Sequence, residues 1–203
     1  MRLRRKSKLL PIVLTGRVII SSLGFFMSEG AVILDSPAIG RALRRIAHEI
    51  AERNPQRANL ILVGIQTGGV HLALRLSQIL EEILGGAILT GYLDVNMHRD
   101  DLGQHATPEV HPTSIPFDIT NKTVVLIDDV LCSGRTTRAA MDALTALGRP
   151  KSIQLAVLID RGHRELPIRP DFVGKNVPTA PTQRVEVLLR EKAGEDMVYL
   201  KQV

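Results

Sequence analysis

A single cysteine, Cys132, leaves nothing to build an intramolecular disulfide framework or a clustered-Cys zinc site. No run of 18 apolar residues occurs, so the sequence offers no transmembrane helix. Internal repeats are absent too. Neither a Gly-x-x-x-x-Gly-Lys-Ser/Thr phosphate loop nor a Gly-x-Gly-x-x-Gly dinucleotide turn is present. What remains is ordinary globular material, 203 residues with 44% hydrophobic and 23% charged, enough for one domain with a sizeable core.

The net charge of +5 and pI near 9.7 suggest a polyanion partner, but the excess is local. Arg2, Arg4, Arg5, Lys6, Lys8 and Arg17 all precede residue 27, and without residues 1–26 there are 20 bases against 21 acids. That leading segment superficially resembles the start of a signal peptide, with a basic stretch and then an apolar run. Arg17 interrupts the run. The reading adopted is that Met27 is the natural start, with residues 1–26 a poorly ordered extension or a mis-assigned start. Residues 27–203 then form the domain, placed in the cytoplasm.

From Ala31 the chain alternates short apolar strands with amphipathic helices. Ala31 to Leu34 reads as a strand, and Ser36 is the expected N-cap of a helix with Pro37 at its first position. Ile39, Leu43, Ile46 and Ile50 recur at helical spacing and make its buried stripe, up to Asn54-Pro55. Leu60 to Ile65 is continuously apolar, as in a strand buried on both faces. Gln66-Thr67-Gly68-Gly69 then opens a helix running to about Leu84. Further strands are expected at Ala87 to Val95, Thr123 to Ile127 and Ser152 to Ile159. A helix spans Arg135 to Leu147, and Val185 to Leu189 with Val198 to Lys201 forms a terminal hairpin. His98 to Pro116 is a long polar loop with three prolines and three histidines. The alternation implies an α/β sheet with parallel strands and ligands beyond their carboxyl ends.

The chemistry concentrates between Val124 and Thr137. Val124, Val125, Leu126 and Ile127 form an apolar strand that ends in Asp128 and Asp129. Val130, Leu131, Cys132, Ser133 and Gly134 make a loop of small residues, and Arg135, Thr136 and Thr137 begin a helix. Free N–H groups at a helix N-terminus favour a phosphate, by roughly 0.3–1 kcal/mol when exposed. Hydroxyls on Ser133, Thr136 and Thr137 add donors. Two adjacent carboxylates repel a phosphate, so they should face sugar hydroxyls or metal-bound water. The layout fits a phosphorylated ribose. The bland alternative, a strand that merely ends in two acids, is the commoner meaning of an isolated Asp-Asp pair.

This combination resembles the phosphoribosyl pyrophosphate (PRPP) motif of type I phosphoribosyltransferases. More closely, the chain from Met27 onward resembles the bifunctional pyrimidine operon attenuation protein/uracil phosphoribosyltransferase family. The matching phrases are Ala31 to Asp35, Arg45 to Glu49, Leu93-Asp94 with His98 to Leu102, the Asp128 motif and the long stretch Leu155 to Pro178.

The resemblance implies a type I phosphoribosyltransferase fold, a central mainly parallel sheet flanked by helices with a small hood region. It implies transfer from PRPP to uracil, with Mg²⁺, giving UMP and pyrophosphate. Asp128 and Asp129 would hold the ribose hydroxyls and metal-linked water, with no direct protein ligand of the metal fixed, and Leu131 to Thr137 the 5′-phosphate. Thr67 and Gly68 would belong to the pyrophosphate loop. Here the chain departs from the family's common Thr-Arg-Gly, so a cation beside the leaving group is missing. Arg99 would lie in a flexible catalytic loop that closes over PRPP. Uracil would be read near Ile159, Asp160 and Arg161, chiefly by main-chain groups and shape. Cys132 is a filler.

A second role implied by the resemblance is uridine-nucleotide-dependent binding of leader mRNA, with UMP or UTP as effector. The positions matching an RNA-contacting surface are Arg44, Arg45, His48 and Arg53, with His163, Arg164, Arg169 and Lys175. Arg44 replaces a threonine common in attenuators. A homodimer or homotetramer is implied, and no membrane. Two rivals stay open: an RNA-binding regulator with vestigial catalysis, and a phosphoribosyltransferase for another nucleobase.

Overall fold

The structure is a computed structural model and describes residues 30–96 and 112–203. The leading extension, Arg99 and most of the long polar loop lie outside the described residues. Strands β1 (Gly30–Asp35), β2 (Leu60–Ile65), β3 (Leu89–Leu93), β4 (Thr123–Leu131), β5 (Ser152–Asp160), β6 (Phe172–Asn176), β7 (Gln183–Leu188) and β8 (Met197–Gln202) alternate with helices. The helices are α1 (Ser36–Arg53), α2 (Gly68–Leu84), α3 (Arg135–Leu147) and the single turn α4 (Arg190–Ala193).

Five strands form one sheet in the order β3-β2-β4-β5-β6, every neighbouring pair parallel. Successive side chains of a strand point to opposite faces, so a sheet covered on both sides needs strands that are apolar throughout. β2 meets that demand with all six residues buried. Leu60, Leu62, Val125, Ile127, Ala156 and Leu158 pack with α1 and α2 on one face. Ile61, Val63, Leu126 and Val157 pack on the other, against Ala139, Ala140 and Leu144 of α3. Ile39, Leu43, Ile46 and Ile50 are all buried, as their spacing requires. Removing one such side chain, as in Ile46→Ala, costs about 2–5 kcal/mol.

A smaller antiparallel sheet, β1-β8-β7, forms the hood and packs on the same core through Leu34, Val185 and Val198. Among the described residues no helix is long and apolar enough to cross a membrane.

The α1 N-cap is Asp35, one residue earlier than the sequence suggests; its Oδ1 accepts the Ala38 N–H at 2.9 Å. The longer carboxylate reaches back over Ser36, which becomes the first helical residue. β4 continues through both aspartates to Leu131, past the expected stop at Ile127, because β5 keeps pairing with it, Leu131 opposite Asp160. Strand β6 lies between Ile159 and Val185, where the sequence suggests no strand. Its Phe172 is buried while Lys175 and Asn176 are exposed, a mixed pattern natural to an edge strand.

Candidate functional site

In the large sheet the connection from β2 runs through α2 to β3 on one side, while β4 runs through α3 to β5 on the other. The gap between the ends of β2 and β4 is therefore the topological switch point, where an open parallel sheet leaves a crevice. Two loops meet there. Residues 66–69 follow β2 and include a cis peptide between Gln66 and Thr67. Residues 132–134 follow β4 and end on Gly134, whose φ of 91° suits a residue without a side chain.

The first loop touches the end of β4 through its glycines. A Cβ on Gly69 would lie 2.0 Å from the Ile127 carbonyl oxygen, and one on Gly68 would lie 2.2 Å from Asp129 Oδ2. The acidic pair thus abuts the first loop directly. Asp128 is buried, and its Oδ1 accepts the Asp129 N–H at 3.0 Å; Asp129 Oδ1 accepts the Val130 N–H at 2.8 Å. Burial pushes the Asp129 carboxyl above the usual carboxylate range, against the opposing effect of the Val130 N–H.

The motif narrows when its burial is known. Val124, Val125, Leu126 and Ile127 are at most 1% exposed, so they carry the motif as core rather than as surface for a ligand. Thr137 is also buried, 2% exposed, and its hydroxyl finds no partner among the described residues. Its side chain is not a surface donor. The accessible part is Asp129, Val130, Cys132, Ser133, Arg135 and Thr136, with Thr67 and Gly68 across the crevice.

The segment proposed to read a base divides in the same way. Ile159 is fully buried in the sheet, so its side chain offers no surface to a ligand. Asp160 and Arg161 line an open cavity of about 630 Å³ together with Gly162, His163, Arg164 and Arg169. Arg161 is tied down by its Nε to Thr179 Oγ1 at 3.1 Å and its Nη2 to the Gln183 carbonyl at 2.7 Å.

The two groups of proposed RNA positions meet on one side of the molecule. Arg44, Arg45, His48 and Arg53 are exposed along α1, and α1 packs beside β6. Arg45 Nη2 donates to the Val173 and Gly174 carbonyls at 2.8 and 2.7 Å, while its Nη1 pairs with Glu49 at 2.7 Å. Arg53 pairs with Asp171 at 2.7 Å, and Lys175 Nζ donates to the Ile33 carbonyl at 3.2 Å. His163 and Arg169 are exposed at the cavity. Arg164 differs from all of these. It is half-buried and engaged inside the protein, an arrangement that no spacing rule marks in a loop.

A second ion-pair group went unread in the sequence. Arg75 of α2 donates to Glu191 Oε2 and Asp196 Oδ1, both at 2.6 Å, and fastens the hood to the helix that follows the first loop.

No group of three or more His, Cys, Asp or Glu placed to hold a metal exists among the described residues. The donors near the crevice are two adjacent carboxylates. That set suits Mg²⁺, which keeps several waters and takes one or two carboxylates plus substrate oxygens.

The family described as phosphoribosyl transferase domain matches residues 30–188. Bifunctional protein PyrR of Clostridioides difficile is 54% identical over 177 residues, covering 87% of this chain and all of that protein. Bifunctional protein PyrR of Bacillus subtilis is also 54% identical over 177 residues, covering 86% and 98%. Among solved structures, hypoxanthine phosphoribosyltransferase of Trypanosoma cruzi with its product IMP superposes with a TM-score of 0.64 at 17% identity, covering 88% and 94% of the two chains. A hypoxanthine phosphoribosyltransferase of Staphylococcus aureus gives a TM-score of 0.63 at 18% identity, covering 85% and 92%.

Proposed function

Because the chain belongs to the phosphoribosyl transferase family and, within it, to the bifunctional PyrR proteins, we propose that it transfers the phosphoribosyl group of PRPP to uracil and also controls pyrimidine genes by binding leader RNA. The observation that carries the first part is the packing of the 66–69 loop directly against Asp129 at the end of β4, with the small-residue turn 132–134 and the start of α3 following on the same strand. This supports a pyrophosphate loop and a 5′-phosphate cradle with the acids between.

Breaking the bond at the anomeric carbon develops positive charge on the sugar and negative charge on pyrophosphate, so alignment and electrostatics matter more than a protein nucleophile. Mg²⁺ bound with PRPP supplies charge stabilisation at the leaving group. The N–H groups at the start of α3 with Ser133 and Thr136 hold the 5′-phosphate. Asp128 and Asp129 hold the ribose hydroxyls and would hold Mg²⁺ through water when it is bound with PRPP. Thr67 and Gly68 offer backbone and hydroxyl to pyrophosphate. Arg99 covers the bound PRPP. Main-chain groups near Ile159, with Asp160 and Arg161, read uracil.

In the second role, Arg44, Arg45, His48, Arg53, His163, Arg169 and Lys175 contact RNA phosphates in the cytoplasm when UMP or UTP fills the nucleotide site. Local potential suffices for this although the domain is nearly neutral. A homodimer or homotetramer extends that face.

Incubation with PRPP, Mg²⁺ and each nucleobase in turn tests the enzyme. UMP formation from uracil is the expected result, and turnover of hypoxanthine or orotate alone rejects it. Binding to the RNA leader of a pyrimidine operon should tighten with UMP and weaken with salt. RNA binding without any turnover would leave the regulator alone standing.

A further inference from the structure

Arg164 belongs by sequence to the cationic segment assigned to RNA, yet its guanidinium is spent elsewhere. Nε donates to the Ile168 carbonyl at 2.8 Å, and Nη1 to the carbonyls of Cys132 at 2.9 Å and Gly162 at 3.2 Å. Nη2 pairs with Asp160 Oδ2 at 2.5 Å. One residue therefore joins the phosphate loop, through Cys132, to the base-reading segment and to the strip that carries His163 and Arg169.

Neighbouring bonds repeat the connection. The Ser133 carbonyl accepts the N–H groups of Glu165 and Leu166 at 3.0 and 3.1 Å, and Arg135 Nε pairs with Glu165 at 2.7 Å. Gly134 faces Ile168 and Leu166 so closely that a Cβ there would lie 3.3 Å from the Ile168 Cβ. Every residue from 132 to 135 is thus in touch with residues 164–168. A ligand that orders the loop must order that strip as well.

We propose that Arg164 is a positioning residue for the phosphate loop, and that through it the filling of the loop by a nucleotide phosphate is passed to the cationic segment 163–169. The inference rests on the reading of residues 131–137 as a phosphate cradle. It assigns Arg164 to the coupling of the two activities rather than to RNA itself.

Lysine separates the possibilities. A phosphate contact tolerates Lys as a point charge, whereas a planar fork serving three carbonyls and a carboxylate does not. UMP binding by calorimetry should be about tenfold weaker in Arg164→Lys, the scale of one charge-assisted hydrogen bond. In the unaltered protein, saturating UMP should slow amide hydrogen exchange at Glu165, Leu166 and Ile168 by about fivefold or more, a local stabilisation that Arg164→Lys loses. Equal UMP affinity in the two proteins overturns the inference and leaves the bonds of Arg164 without a part in nucleotide binding. Unchanged exchange in the unaltered protein with UMP bound also overturns it, and that measurement needs no variant to fold. An unaltered protein that takes up no UMP at all overturns the cradle itself, and the inference with it.

Discussion

The Asp129 carboxylate lies against Gly68, where a Cβ would come 2.2 Å from Oδ2, so a side chain at that position requires the carboxylate to move. Position 68 and the second acid are therefore linked sterically across the crevice. Gly68→Ala should push the carboxylate into another rotamer and away from the ribose. We expect kcat/KM for PRPP to fall by about tenfold or more, as small misplacements in a reacting site do. Gly68→Arg, which restores the family's common residue, displaces the same oxygen but brings a cation to the leaving group, so it should recover part of the loss seen in Gly68→Ala. Steady-state kinetics with varied PRPP checks both.

Asp129 also predicts a trade between stability and activity. Burial raises its folded pKa, so the folded state holds the proton more tightly than the unfolded chain. That favourable contribution exists at low pH and disappears as pH rises through the folded value. Asp129→Asn should therefore melt at a higher temperature than the unaltered protein at neutral pH, with the difference shrinking in acid, while transfer is abolished. PRPP affinity should weaken as pH falls through the same range, because the hydroxyls need the ionised form. Scanning calorimetry and PRPP binding at several pH values read the two effects.

Arg75 predicts an acid limb. Its hydrogen bond holds Glu191 below the usual carboxylate range. Burial pushes Asp196 upward, but Arg75 and the Arg190 N–H outweigh it and bring Asp196 below the usual range as well. Both groups contribute stability above their ordinary pKa values, and the contribution is lost as pH falls through the depressed ones. Arg75→Met takes one of two arginines from a carboxylate that is 4% exposed and leaves it the Arg190 and Ser36 contacts, at a cost of about 1.5–3 kcal/mol. Urea denaturation should show that cost at pH 7 and a much smaller one near pH 3.

Thr137 offers a stabilising change. Its hydroxyl is buried without a partner among the described residues, a penalty of about 1–3 kcal/mol in such settings. Thr137→Val keeps the shape and removes the polar atom, so the melting temperature should hold or rise with kcat unchanged. A drop in PRPP affinity would show that the hydroxyl turns toward the phosphate when substrate binds.

The sheet was legible wherever burial was two-sided. Leu60 to Ile65 and Val124 to Ile127 of β4 are apolar without a break, and only a covered parallel strand demands that. The motif after Ile127 was legible because a phosphate site needs a small-residue loop followed by a helix start. β6 escaped because an edge strand with one covered face shows no uniform pattern over five residues. The α1 cap was misplaced by one because Asp35 and Ser36 are both good caps and local sequence does not rank them. The bonds of Arg164 and Arg75 were illegible for a different reason. Their partners lie as far as 32 and 121 residues away, and only the folded chain brings them within reach.

The pairing of β1 with β8 also sets an order of assembly. A ribosome has delivered every strand of the large sheet once Asn176 has been made, yet β1, produced first of the described strands, waits for the last to be translated. The small sheet is therefore completed only after every strand of the large one has been made, and until then β1 has no strand to pair with.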